Sequence, residues 1–292
     1  MEVNEKEAVA IVGESGCGKS TVALTIMGLN PSARITNGEI MLEGRNLLSL
    51  SPKQMQDIRG RLISMIFQNP TTFLDPVMKI KDQLMEILLR HYASMSREEA
   101  QSRIEETVAK VGLHTRVLEN YPFELSGGML QRIMIVMMLL PRPRVIIADE
   151  PTSALDTTIQ VEVLDLLSSL QKTEGISILL ITHDLGIVAE LCDRIYVMYA
   201  GRFVESANVY TLYEKPMHPY TSGLLNSILS IDEYKESLPI LPGDVPDLTQ
   251  VPSGCAFHPR CSHVMDVCRK ENPPSVEVDS QHMVSCWLYE ER

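Results

Sequence analysis

Several short runs of this 292-residue chain hold residue types that do chemistry, and most of them point at a phosphate. "GESGCGKS" sets Gly13, Gly18, Lys19 and Ser20 in the pattern G-x-x-x-x-G-K-[ST]. Glycines there let backbone N–H groups curl around a β-phosphate, the lysine reaches the β and γ oxygens, and the hydroxyl binds Mg2+. Cys17 fills a variable position of the pattern. "VIIADE" is an apolar run that ends in acids: Asp149 is placed beside the Mg2+ shell, and Glu150 where a base orients and polarises the attacking water. Gln68 in "IFQNP" ends another strand-like run and is placed to touch both metal and water, and His183 in "LLITHD" ends a third, near the γ-phosphate. "LSGGMLQR" then sets Ser126, Gly127 and Gly128 before a helical run, as at an anion site made of helix N-terminal amides.

These residues need strands that stop, and helices that start, in the right places. Ala8–Val12 is a short apolar run suited to a buried parallel strand. The glycine-rich turn follows it, and a helix is expected over 21–29. "GEIMLEGRNL" and "RLISMIFQ" read as further strands, whereas residues 77–140 carry helical spacing in "KDQLMEILLRHY" and "REEAQSRIEETVAKVGL". Strand-like runs return at 145–148, 178–181 and 195–199, so the helical stretch is an insertion in an α/β core. Met129, Met134, Met137 and Met138 lie in a helical apolar run, where core packing outweighs metal binding. Past Gly201, "YTLYEKPMHPYTSGLLNSIL" reads as helical around its prolines and "LPILPGDVPDLTQVPSG" as an extended linker. A boundary near Ser230 gives a domain over 1–230 and a tail over 231–292.

Composition limits the partners. A net charge of −12 argues against unaided binding to nucleic acid or anionic lipid, which need basic faces. The apolar runs are too short to span a bilayer and no signal peptide opens the sequence, so a cytosolic protein is expected, reaching a membrane through a partner. Cys255, Cys261, Cys268 and Cys286 cluster in the tail, which in a reducing compartment suggests metal or iron–sulfur ligation more than disulfides. Their spacing lacks the paired C-x-x-C of common zinc ribbons, so zinc is the weaker metal, and reduced thiols in a small packed module are the bland alternative. His258, His263 and His282 fit zinc ligation or plain surface roles alike.

Taken together the motifs resemble the ATPase subunit of an ABC transporter: a P-loop NTPase core with an inserted α-helical subdomain at about 77–140 and a small cysteine-containing extension. The resemblance implies ATP held by Gly13, Ser15, Gly16, Cys17, Gly18, Lys19, Ser20 and Thr21, and Mg2+ held by Ser20, Gln68 and Asp149. It implies hydrolysis by Glu150, Gln68 and His183, a D-loop containing Asp156, and head-to-tail pairing with a paralogous ATPase. In that pairing Ser126, Gly127 and Gly128 close over a nucleotide held by the partner. "EKPMHPYTSGLLNSI" and "GCAFHPRC" are similar to the C-terminal region of dipeptide, oligopeptide and nickel importer ATPases. That group works with two membrane permeases and an extracytoplasmic solute-binding protein, at the cytoplasmic face of the membrane, and similar tails are associated with a four-iron four-sulfur cluster on the four cysteines. Peptide and nickel remain open as cargo, and a soluble, non-transport ABC ATPase is the alternative of another class. The family also carries an aromatic residue that stacks on adenine before the first strand. No Tyr, Phe or Trp precedes Gly13, so the adenine contact is unassigned.

Overall fold

The computed structural model describes residues 1–30, 33–68, 73–153, 155–227 and 241–290. The boundary expected near Ser230 lies outside them. In chain order the elements are β1 (Ala8–Val12), α1 (Lys19–Ile26), β2 (Met41–Leu42), β3 (Arg45–Asn46), α2 (Pro52–Ile58), β4 (Ile63–Ile66), α3 (Ile80–His91), α4 (Arg97–Lys110), α5 (Gly127–Leu139) and β5 (Val145–Asp149). They continue with α6 (Thr157–Glu174), β6 (Ser177–Thr182), α7 (Leu185–Leu191), β7 (Arg194–Tyr199), β8 (Arg202–Asn208), α8 (Val209–Glu214), α9 (Pro219–Asn226), β9 (Val276–Asp279) and β10 (His282–Val284). Two compact units share the chain: Met1–Glu2, Ala8–Val22 and Leu180–Arg292 form one, Val3–Glu7 and Ala23–Leu179 the other.

In the first unit, β1 pairs in parallel with β7, with Ala10 opposite Ile195 and Val12 opposite Val197. Every residue of β1 is buried, which is why its sequence is continuously apolar instead of alternating. β7 turns back into β8 through Ala200 and Gly201, both at positive φ (45° and 79°), as a two-residue type I′ hairpin requires. β10 then lies antiparallel along β8, and β9 along β10. The sequence reading missed β8, β9 and β10. β9 alternates half-buried and exposed residues over only four positions, and β10 is three residues long, both too short to show a period. An aromatic cluster of Tyr199, Tyr220 and Phe257, with ring centroids 4.7–5.4 Å apart, is buried beneath the extension.

The second unit holds β4 and β5, paired in parallel with Ile66 opposite Ala148, and the inserted helices. α4 starts with a capping box, Ser96 and Glu99 exchanging side chain and backbone hydrogen bonds, and buries Ala100, Ile104 and Val108 on one stripe. α3 likewise buries Ile80, Leu84 and Leu88. α5 buries Ile133, Met134, Ile135 and Val136, with Met129, Met137 and Met138 half-buried, in keeping with a packing role for the methionines. The first helix runs over Lys19–Ile26, two residues earlier than the expected 21–29, because Lys19 and Ser20 themselves form its opening turn.

Candidate functional site

β1 stops at Val12 and the chain turns sharply under β7. A Cβ on Gly13 would stand 2.2 Å from the carbonyl oxygen of Met198, so only glycine fits. Gly16 and Gly18 take φ of +82° and +107°, conformations that L side chains rarely adopt. The Lys19 ammonium is buried and donates to the Gly13 and Glu14 carbonyls at 2.7 and 3.0 Å, closing the loop on itself. Cys17 is fully buried, and desolvation raises its thiol pKa against the opposing pull of Lys19, so it is an inert packing residue. Ser15, Gly16, Ser20 and Thr21 are exposed on the rim of the loop. His183, in the same unit, follows β6 and is exposed, ahead of Asp184, which caps α7 by accepting the Gly186 N–H at 2.8 Å.

The second unit presents the acids. The register of β4 and β5 sets Ile66 beside Ala148, so the residues two further on, Gln68 and Glu150, emerge side by side. The Gln68 amide donates to the Glu150 carboxylate at 2.7 Å. Asp149, the last residue of β5, is buried, and Glu150 takes a left-handed φ of 46°, a strained conformation of the kind that clusters at functional sites. The neighbours Asn69, Pro70, Thr71 and Thr72 lie outside the described residues.

Ser126 is the N-cap of α5, its hydroxyl accepting the Met129 N–H at 3.3 Å. Gly127 and Gly128 form the first turn, so the bare amides of a helix start are presented where an anion could bind. Gly128 is also forced by packing, since a Cβ there would meet Ile159 of α6 at 2.8 Å. Asp156 caps α6, accepting the Ile159 N–H at 3.1 Å; its neighbour Ala154 lies outside the described residues. One residue the sequence reading passed over is Gln131. Its buried amide donates to the carbonyl of Pro151, tying the helix behind the glycines to the residue after Glu150. A buried polar residue on an otherwise apolar helix face was the available signal.

In the extension none of the four cysteines forms a disulfide. Each sulfur accepts a backbone N–H: Cys255 from Phe257, Cys261 from His263, Cys268 from Met265, and Cys286 from Leu288. Burial raises the thiol pKa of Cys255, Cys261 and Cys286, the last to about 11, and neighbouring thiols push each further up. Even so, among the described residues no three His, Cys, Asp or Glu side chains stand as a ligand set for a single metal ion. Of the candidate histidines, His282 is neither a ligand nor a surface residue: it is buried against the Glu205 carboxylate at 2.8 Å. His258 faces the Cys255 carbonyl at 3.0 Å, and His263 is exposed.

Comparison with known proteins gives a coherent answer. The family model described as "ABC transporter" matches residues 1–153, and that for the oligopeptide/dipeptide transporter C-terminal region matches 204–268. The chain is 45% identical to the dipeptide transport ATP-binding protein DppD of Bacillus subtilis, covering 100% of this chain and 88% of that protein. It is 42% identical to the oligopeptide transport ATP-binding protein OppD of Escherichia coli, covering 96% and 83%. Among solved structures it is similar to a dimeric ATP-binding cassette in a post-hydrolysis state with ADP and Pi, at 30% identity and a TM-score of 0.64 over 72% of this chain and 88% of the other. It is also similar to cbiO1 from Clostridium perfringens, part of the ABC transporter complex cbiONQ, at 27% identity and a TM-score of 0.66 over 74% and 82%.

Proposed function

The chain belongs to the ABC transporter family, with its P-loop ATPase fold, and on that premise we propose that it is the ATP-hydrolysing subunit of an importer of dipeptides or oligopeptides. The observation that carries the cargo assignment is the order of the two matched regions on one chain: an ATP-binding cassette followed by the oligopeptide/dipeptide transporter C-terminal region. Relatives similar over nearly the full length bear peptide-transport names, which favours peptide over nickel and transport over a soluble role.

In this reading Gly13, Ser15, Gly16, Cys17, Gly18, Ser20 and Thr21 wrap the ATP phosphates with backbone and hydroxyl donors. Lys19, turned inward onto the Gly13 and Glu14 carbonyls, swings to the β and γ oxygens. The hydroxyl of Ser20, the side-chain oxygen of Gln68 and the carboxylate of Asp149 would hold Mg2+, a hard cation that suits this all-oxygen donor set, and the ion would neutralise charge on the phosphates. Glu150 accepts the proton of the attacking water, after the Gln68 amide that now occupies its carboxylate lets go. His183 steadies the γ-phosphate. Ser126, Gly127 and Gly128, with Asp156 at the start of α6, serve the nucleotide of a second ATPase subunit paired head to tail, so that ATP joins the two chains and its hydrolysis frees them. The dimeric solved relative supports such pairing. Two membrane permeases and an extracytoplasmic solute-binding protein complete the assembly, and the two ATPase subunits lie at the cytoplasmic face of the membrane. No helix among the described residues is long and apolar enough to cross it.

The four tail thiolates are read as ligands of a four-iron four-sulfur cluster. N–H donors aimed at every sulfur suit thiolate ligands, and four cysteines within one short tail suit a cluster of several irons. The cluster would act as a staple for a segment with little core of its own.

The test is reconstitution with the permeases and binding protein in vesicles. Peptide-loaded binding protein should raise ATP hydrolysis, and stimulation by nickel with peptides inert would overturn the cargo assignment. Protein purified without oxygen should be brown and contain iron and sulfide. Colourless protein with stoichiometric zinc, or with neither metal, would sink the cluster.

A further inference from the structure

Arg260 sits at the end of a short 3₁₀ helix, His258–Arg260, one residue before Cys261. Its guanidinium leaves the cysteine module and reaches the P-loop. Nη1 and Nη2 donate to the two carboxylate oxygens of Glu14 at 2.8 and 3.0 Å, a bidentate fork in which the arginine side chain is 5% exposed and the glutamate 30%. The fork is itself fixed: Nε donates to the Pro242 carbonyl at 2.7 Å, Nη1 also approaches the Tyr199 hydroxyl at 3.5 Å, and the guanidinium faces the Tyr199 and Phe257 rings at 5.7 and 5.8 Å. Glu14 occupies a variable position of the phosphate-binding pattern, so the motif makes no demand on its side chain. Yet all its polar groups are engaged. Its N–H donates to the Tyr220 hydroxyl at 2.9 Å, its carbonyl accepts from the Lys19 ammonium at 3.0 Å, and its carboxylate takes Arg260.

We propose that Arg260 is a positioning residue of the nucleotide site: through Glu14 the C-terminal extension buttresses the P-loop and sets its affinity for Mg–ATP. The proposal rests on the nucleotide-site reading above and gives the extension a role in it. Lys19 must leave the Gly13 and Glu14 carbonyls to meet phosphate, and at that moment the loop loses its internal tie. A Glu14 gripped by Arg260 and Tyr220 keeps the loop amides aimed while Lys19 moves. Bidentate pairing supplies this because it fixes orientation as well as distance. Removal of one partner leaves the other charge half-desolvated next to the phosphate site, which repels or misdirects the ligand.

The experiment measures Mg–ATP dissociation constants by calorimetry on the full chain, with KM and kcat for the assembled transporter. Arg260→Met and Glu14→Gln should each weaken Mg–ATP binding about tenfold, the loss of one charge-assisted contact. The effect should appear in KM, with kcat at saturating ATP nearly unchanged. Arg260→Lys should recover part of the loss, and the Arg260→Met/Glu14→Gln double variant should be no worse than the poorer single one, because both act through one contact. Should Arg260→Met fail to fold, Glu14→Gln carries the test alone, its side chain being partly exposed. Lowered melting temperature with dissociation constants within twofold of the unmodified chain, or additive losses in the double variant, would overturn the buttress while leaving the nucleotide site standing. Failure of the unmodified chain to bind Mg–ATP would overturn both.

Discussion

Around Gly13 the loop is held from every side, by a lysine turned inward, a glutamate gripped through its N–H, carbonyl and carboxylate, and a carbonyl overhead that excludes any side chain. Around Ser126 a serine cap and the tight approach of Ile159 shape the backbone, and among the described residues no hydrogen bond from a lysine or arginine ties that turn as Lys19 ties the first. Both segments offer amides at a helix start. The first adds a mobile counter-charge and can hold a polyphosphate by itself, whereas the second supplies donors only and suits a phosphate that arrives already bound elsewhere. In the proposed head-to-tail pairing, this division is what lets two chains complete one site.

The largest effect should come from a change that spares both cradles. Glu150→Gln should lower kcat by about 10²–10⁴-fold while Mg–ATP binding persists, as expected for loss of a general base; turnover at the unmodified rate in the assembled transporter would remove Glu150 from that role. Next in size, Lys19→Ala should weaken Mg–ATP binding about a hundredfold, because the counter-charge that distinguishes the first cradle goes. Binding retained within twofold would erase the distinction. Ser126→Arg should leave this chain's own dissociation constant within twofold but reduce the ATPase rate of the assembly about tenfold or more, from loss of a donor set around the γ-phosphate. An equal loss of binding at this chain's own P-loop would contradict the two-chain arrangement. The smallest effects sharpen the account of the second cradle. Gly128→Ala, whose Cβ would lie 2.8 Å from Ile159, should cost about 1–3 kcal/mol and lower Tm by several degrees. Gly127→Ala, with nothing nearer than Leu155 at 4.0 Å, should shift Tm hardly at all.

The residues proposed to touch phosphate were legible because their chemistry is local. A strand, a glycine turn and a helix follow one another in the run that ends with Lys19 and Ser20, and β5 delivers Asp149 and Glu150 at its own end. What escaped the sequence was whatever depends on distant partners. Arg260 and Glu14 are 246 positions apart, and the phosphate-binding pattern leaves the Glu14 side chain unspecified. Gln131 follows the Ser126–Gly128 run, and nothing in its sequence neighbourhood marks it as the anchor of Pro151. β8 escaped because it follows directly on the hairpin turn after β7, and its run Arg202–Asn208 mixes polar with apolar residues without a clear period. The strand pair in the tail was hidden by a composition, rich in proline and cysteine, that suggested a linker and iron–sulfur ligation.

β10 has a consequence for anyone who would shorten this chain. It runs along β8 with Met283 opposite Ser206 and Val284 opposite Glu205, and so covers a row of backbone donors and acceptors that another molecule could otherwise use for edge-to-edge pairing. His282 at its start meets the buried Glu205 carboxylate, which among the described residues also accepts the Met217 and His218 N–H groups at 2.7 and 2.9 Å. Trimming away the cysteine-bearing segment would therefore not yield a leaner cassette. It would leave a sticky sheet margin and a stranded acid inside it, and the trimmed chain should be collected as aggregate.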